Sequence, residues 1–218
     1  PNTIGSNTPG GGNIILASGW SGVVIQSGIG NTIEGNYIGT NGAGVNWGNA
    51  YYGVVVEYTE GNTGEDNMVN FNEIAYNGYH NGLDNAEAGV YINRSDGNMI
   101  SRNKIHDNDG PGIALVNGGN NDILAPLISS ANCSGNINGT APANSWIQIF
   151  SDNDDEGKLW EGTTKADGAG YWSWSGDVSG PNLTATARDD VTLDTSAFSS
   201  PFVIGECQLD IYLPLIIY

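Results

Sequence analysis

Apolar residues recur through the first 128 positions as short apolar-x-apolar triplets, set off by asparagines at a fixed spacing. One block reads Asn31, Ile33, Asn36, Ile38, Asn41. It returns as Asn67, Val69, Asn72, Ile74, Asn77, and again as Asn98, Ile100, Asn103, Ile105, Asn108. Partial copies flank these: Asn2 with Ile4 and Asn13, Ile15, Ser18 in front, and Asn121, Ile123, Pro126, Ile128 behind. A second block begins with glycine: Gly22-Val23-Val24-Ile25, Gly53-Val54-Val55-Val56, Gly89-Val90-Tyr91-Ile92 and Gly112-Ile113-Ala114-Leu115. These starts lie 31, 36 and 23 residues apart.

Each triplet alternates with a period of two, as a short half-buried strand does. Three such strands joined by sharp bends make one coil. A coil cannot bury its inward face alone, so coils must stack, in parallel and at roughly 4.8 Å per coil. Val23, Ile25, Ile33, Ile38 and their counterparts are then the inward residues. The asparagines fall at the bends, where their amides can bond backbone groups left unpaired and, coil on coil, one another. This makes them structural residues rather than ligands or catalysts. The outward positions Val24, Val55, Tyr91 and Ala114 form an apolar stripe suited to packing on a partner.

Coil length varies. Ile38 to Gly53 and Ile74 to Gly89 each span 15 positions, against 7 from Ile105 to Gly112. The first two therefore carry matched insertions at one corner, and a further insertion lies near 59–66. Insertions in a stacked repeat map to one side and often carry binding. The matched pair holds Trp47, Tyr51, Tyr52, Tyr79, His80, Asp84 and Glu87.

The run from Pro1-Asn2-Thr3-Ile4-Gly5 to Asn36-Tyr37-Ile38-Gly39-Thr40-Asn41-Gly42 resembles bacterial right-handed parallel β-helix repeat proteins of the NosD-like, pectin-lyase-like superfamily. The resemblance covers about residues 1–128 and implies a fold. It implies no single activity, because that superfamily holds lyases, hydrolases and structural members.

Beyond Pro126 the pattern changes to alternating stretches at Trp146–Phe150, Lys158–Thr164, Tyr171–Ser175, Leu183–Ala187 and Phe198–Ile204, with Gly, Pro, Asn and Asp between. Such spacing predicts an antiparallel sandwich. Ala166-Asp167-Gly168-Ala169-Gly170-Tyr171-Trp172 and Leu183-Thr184-Ala185-Thr186-Ala187-Arg188-Asp189 resemble a bacterial Ig-like domain, a type of module that serves as a spacer or adhesive unit. The expected class is all-β: a right-handed parallel β-helix of about five coils over 1–128, a small antiparallel Ig-like β-sandwich over 133–205, and an apolar tail over 206–218.

Cys133 and Cys207 bracket the sandwich. With an even number of strands its ends return to one edge, and a disulfide would close a loop worth roughly 4 kcal/mol. With an odd number the two thiols lie beyond bonding reach. A disulfide would imply an oxidising compartment. The tail resembles the YLPL ending of secreted Chloroflexota-type proteins, and it is too short to span a bilayer. Its residues Ile211, Leu213, Leu215 and Ile217 could add as a strand to a neighbouring copy. The chain opens at Pro1 inside the repeat, as a processed or cropped sequence would, so an open coil faces that apolar strand and head-to-tail self-association into a filament or surface layer is expected.

Charge narrows the partners. The chain carries 6 Lys+Arg against 24 Asp+Glu, a net charge of −18. Nucleic acid and anionic membranes are repelled by such a field, while Ca²⁺ is attracted. Asp152, Asp154 and Glu156 before Gly157 resemble the first half of a Ca²⁺ loop, although Thr163 stands where the last acid should be. A solvated acidic hairpin is the competing account, and no cofactor is required. Trp47, Tyr51 and Tyr52 could stack on sugar rings or simply cover the coils. Arg102-Asn103-Lys104 is similar to the R-x-K element of pectin hydrolases, but the clustered aspartates and Gly-His-Gly of those enzymes are missing. An ion pair between Lys104 and the equivalent Glu73 explains the lysine more simply. His80 and His106 fit no triad or metal spacing and read as exposed loop residues. Four N-x-S/T sequons occur, at Asn93, Asn132, Asn138 and Asn182. The combined expectation is a secreted, non-enzymatic structural or adhesive surface protein. Glycan binding through the insertion aromatics is the second reading, and a polysaccharide lyase or hydrolase the third.

Overall fold

The computed structural model describes residues 1–59, 65–78, 87–132 and 134–204. Twelve short strands form the first unit. The first coil contributes β1 (Thr3–Gly5), β2 (Ile14–Ile15) and β3 (Val23–Gln26); the second β4 (Thr32–Glu34), β5 (Tyr37–Ile38) and β6 (Val54–Glu57). The third contributes β7 (Met68–Asn70), β8 (Glu73–Ala75) and β9 (Val90–Asn93), and the fourth β10 (Met99–Ser101), β11 (Lys104–His106) and β12 (Ile113–Val116). Every coil places one strand in each of three parallel sheets, ordered β1-β4-β7-β10, β2-β5-β8-β11 and β3-β6-β9-β12.

Register follows the apolar triplets. Ile4, Ile33, Val69 and Ile100 pair in succession, as do Ile15, Ile38, Ile74 and Ile105. These side chains and Val23, Ile25, Val54, Val56, Val90, Ile92 and Ile113 form one continuous core. Ile33, Ile38, Val69 and Ile74 have no exposed surface. The outward stripe is uneven: Val24 is exposed, but Val55 is buried.

Asparagine rows run through the bends. Asn2, Asn31, Asn67, Asn98 and Asn120 form the first, each amide nitrogen donating to the next amide oxygen at 3.0–3.2 Å. Asn13, Asn36, Asn72 and Asn103 form the second. Asn49, Asn77 and Asn108 form the third, and Asn49 also accepts from the Ser18 backbone. Two expectations need correction. Asn41 does not join a row: it sits in the insertion, where its side chain caps the Ala43 nitrogen, and Asn49 takes its place after the extra residues. At the far end the row uses Asn120, not Asn121. The residue before the asparagine is left-handed in three of the four bends of the second row, at Gly35, Phe71 and Arg102 with φ of 68°, 56° and 53°. That backbone costs an L-residue about 1–2 kcal/mol.

Four coils are present rather than about five. After β12 the chain makes one 3-10 turn, Gly119–Asp122, and then enters β13 (Leu127–Ala131). β14 (Asn136–Thr140), β15 (Trp146–Asp152), β16 (Leu159–Lys165), β17 (Tyr171–Ser175), β18 (Asn182–Arg188) and β19 (Phe202–Val203) complete the second unit. Two antiparallel sheets, β13-β14-β17 and β16-β15-β18-β19, close over a second core. Ile128, read above as the end of the repeat, lies in this core with Ile137, Ile147, Ile149, Trp172 and Leu183.

The second unit covers the last coil. Phe198 packs against the core of the parallel stack and stands edge-on to Phe150 at 5.3 Å. Ile105 and Gly157 exchange backbone hydrogen bonds at 3.1 and 2.8 Å. The free strand edge of the last coil finds further partners in side chains: the Ile100 nitrogen donates to Thr195, Arg102 to Gln148 and Gly97 to Asp194. An open sheet edge is a template for unwanted pairing, and here it is met at β10 and β11. Cys133 and Cys207, and the tail residues Ile211, Leu213, Leu215 and Ile217, lie outside the described residues. Among the described residues no helix is long and apolar enough to cross a membrane.

Candidate functional site

The insertion aromatics sit at the corner between the second and third parallel sheets. Tyr51 packs on Trp20 with ring centroids 4.8 Å apart. Tyr52, next in sequence, stacks on Tyr91 of β9 at 4.4 Å and an interplanar angle of 27°. A band of rings therefore climbs three successive coils. Trp47 lies in the same insertion, held by backbone hydrogen bonds from its nitrogen to Gly39 and from Ala17 to its oxygen. Trp20 and Trp47 are 66% and 60% exposed, too much for residues whose task is to cover a core. Burial, and then the neighbouring Tyr91 and Glu87, raise the Tyr52 phenol above its ordinary pKa, so it stays a neutral hydrogen-bonding group.

Trp47, Tyr51 and Tyr52 were legible as candidates, but Trp20 was not singled out. Its signal is its offset: Trp20 precedes Gly22 by two residues, as Tyr51 precedes Gly53. Tyr79, His80 and Asp84 of the matching insertion lie outside the described residues.

A titratable group occupies the outer face of the second sheet. Lys104 Nζ lies 3.9 Å from Glu73, as the repeat alignment predicted. His106, expected in an exposed loop, is instead buried on β11. Its Nδ1 is 2.7 Å from Asp107 and its Nε2 is 3.8 Å from Glu73. Burial pulls the imidazole pKa down, but the two carboxylates outweigh it and the balance lies above the ordinary histidine value. Lys158 reaches Asp107 at 3.5 Å. Each acid in this group thus faces a cation, an arrangement that holds charge rather than freeing a base.

The three acids of the suspected Ca²⁺ loop do not face one ligand. Asp154 is exposed, while Asp152 is buried and bonds the Asp154 nitrogen. Glu156 turns the other way, into the junction between the units. Its Oε2 accepts from the Asn108 backbone at 3.1 Å and its Oε1 from the Asn108 amide at 3.0 Å, so the carboxyl ends the third asparagine row. Burial pushes its pKa up to about 7 against the pull of those two bonds. Among the described residues no three His, Cys, Asp or Glu side chains gather as a metal-holding group. No protein-family model matches the chain, and none of the curated proteins matches it.

Proposed function

We propose that the chain is an adhesive, carbohydrate-binding protein of the cell exterior, built as a parallel β-helix closed by an Ig-like sandwich. The observation that carries this reading is the aromatic band of Trp20, Tyr51, Tyr52 and Tyr91 beside the exposed Trp47. Aromatic faces stack on the apolar faces of sugar rings, and a rigid scaffold keeps the entropic cost of doing so low. The rise per coil, roughly 4.8 Å, is close to the length of one sugar residue in an extended chain, so rings on successive coils can meet successive sugars. A non-catalytic role is supported by the pairing of Glu73, Asp107 and His106 with nearby opposite charges.

Glycan-array screening of the intact protein, followed by titration with the best hit, tests the proposal. Trp47→Ala and Trp20→Ala should each weaken that binding at least tenfold while leaving circular dichroism unchanged. Unchanged affinity in both variants would overturn it, as would release of reducing or unsaturated sugars from the bound glycan.

A further inference from the structure

The sandwich meets the last coil along two lines of contact that differ in chemistry. On the side of the first parallel sheet, amides, a hydroxyl and aromatic rings make the join. The Ile100 nitrogen donates to the Thr195 hydroxyl at 3.0 Å and the Arg102 nitrogen to the Gln148 side chain at 2.8 Å. The Arg102 guanidinium lies 5.6 Å from the centre of the Phe71 ring and 5.1 Å from that of Trp160 across the junction. On the side of the second sheet, the loop between β15 and β16, residues 153–158, lies on β11 and the bend after it. There Gly157 and Ile105 exchange backbone hydrogen bonds at 2.8 and 3.1 Å, Glu156 takes both bonds from Asn108, and Lys158 reaches Asp107 at 3.5 Å.

The Glu156 carboxyl is the centre of this second line. It is buried, and the two donors that Asn108 brings to it are neutral. Charged groups reach it from two elements. His106 of β11 favours its ionised form, and Asp155 of its own loop opposes it. Glu73 of β8, Asp107 of the bend and Lys158 of the loop act through His106, whose ring lies 3.8 Å from Glu73 and 2.7 Å from Asp107. Lys104 is turned to Glu73, and Asp109 lies against Gly78. β18 contributes the Thr184 hydroxyl, which donates to the Glu156 carbonyl, and the Phe198 ring shares with Glu156 the space beside Gly112. A carboxylate here has lost its water without gaining a full counter-ion, and burial outweighs the two bonds it receives. His106 keeps both of its acids when the loop moves, because they belong to the stack, so Glu156 is the group whose surroundings change.

We infer that loop 153–158 is a pH-operated latch: as pH climbs past neutral it lifts from β11 and the Asn108 bend, while the join along β10 and Arg102 holds and serves as the pivot. The direction follows from linkage. The closed form keeps its proton up to about pH 7, whereas the same carboxyl in water ionises near 4.5, so above pH 7 the open form gains roughly tenfold per pH unit. The backbone, amide and hydroxyl groups of the pivot neither gain nor lose a proton in that range. Lifting opens the edge of β11 and the end of the third asparagine row to water without unfolding either unit. The latch is thus a change of shape rather than a loss of fold, and it is separate from the aromatic band.

Native-state hydrogen exchange of the intact protein, followed residue by residue by NMR as protection factors, reads the latch directly. The amides of Ile105, Asn108 and Gly157 should lose protection roughly thirtyfold between pH 6 and pH 8.5. At pH 8.5 they should be roughly tenfold or more less protected than those of Ile100 and Arg102. Dilute urea should speed exchange at Ile100 and Arg102 and leave the loop contacts unchanged, because a local opening exposes little surface. In Glu156→Gln, which keeps an acceptor but has no proton to titrate, the three loop contacts should change by less than about threefold over the same range. A carbon-13 titration of the wild-type carboxyl groups, which needs no variant, should place the Glu156 midpoint at about 7. A midpoint near 4.5, loop contacts as well protected and as urea-sensitive as Ile100, or an undiminished pH response in Glu156→Gln overturns the inference.

Discussion

Glu156 receives both hydrogen bonds that Asn108 offers along its row, at 3.1 Å from the backbone and 3.0 Å from the amide, and so replaces an asparagine of a fifth coil with an acid from another unit. This contact ties the sandwich to the stack, and it depends on protonation.

Burial raises the Glu156 pKa from 4.5 to about 7. Between those two values the folded protein keeps a proton that the unfolded chain has lost, so stability must fall as pH rises. The loss from this group is on the order of 3 kcal/mol. His106, whose folded value is also raised, acts in the same direction at higher pH. Urea unfolding at pH 5 and pH 8 should show the wild type weaker at pH 8. Glu156→Gln should remove most of that difference, because its amide oxygen can accept both bonds at any pH.

The asparagine rows should be worth far more inside than outside. The Asn72 amide donates to Ile33, Asn70 and Asn103 and accepts from Asn36, all out of solvent. Asn72→Ala leaves several buried groups unpaired and should cost about 3 kcal/mol or more. Asn41→Ala removes only a local turn contact and should cost no more than about 1 kcal/mol. Urea midpoints of the two variants make the comparison.

Phe198 closes the apolar core of the stack from the far side of the junction. Phe198→Ala should cost about 3–5 kcal/mol. It should also separate the two units, turning one thermal transition into two when followed by differential scanning calorimetry.

Gly48 lies against the coil above. A Cβ there would stand 1.6 Å from the Tyr76 carbonyl oxygen. Gly48→Ala should therefore destabilise by more than about 2 kcal/mol, although the loop around it is largely exposed. Thermal melting compared with Gly44→Ala, where the left-handed φ of 78° is strained but no atom lies within 4 Å, separates clash from backbone strain.

The stacked strands were legible because alternation and asparagine spacing are local signals that repeat. Ile33, Val69 and Ile100 align by counting alone. Asn41 misled because an insertion falls between Ile38 and the bend, and a count cannot tell which asparagine resumes the row. β13 and β14 were missed: Leu127–Ala131 follows the repeat without a break in apolar content, and Asn136–Thr140 carries one large apolar residue, Ile137. The aromatic band was half legible, since Trp47, Tyr51 and Tyr52 share one insertion.

The amide rows are one-way streets. Every side-chain nitrogen points toward the sandwich and every oxygen away from it. An asparagine can end a row only where carbonyls wait for its hydrogens, as those of Asn98 and Thr195 do for Asn120. A carboxyl ends the third row because each of its two oxygens accepts one of the bonds that Asn108 offers. The direction of the array thus dictates the chemistry of its stopper, and any natural or designed replacement for the sandwich must present an acceptor at that spot.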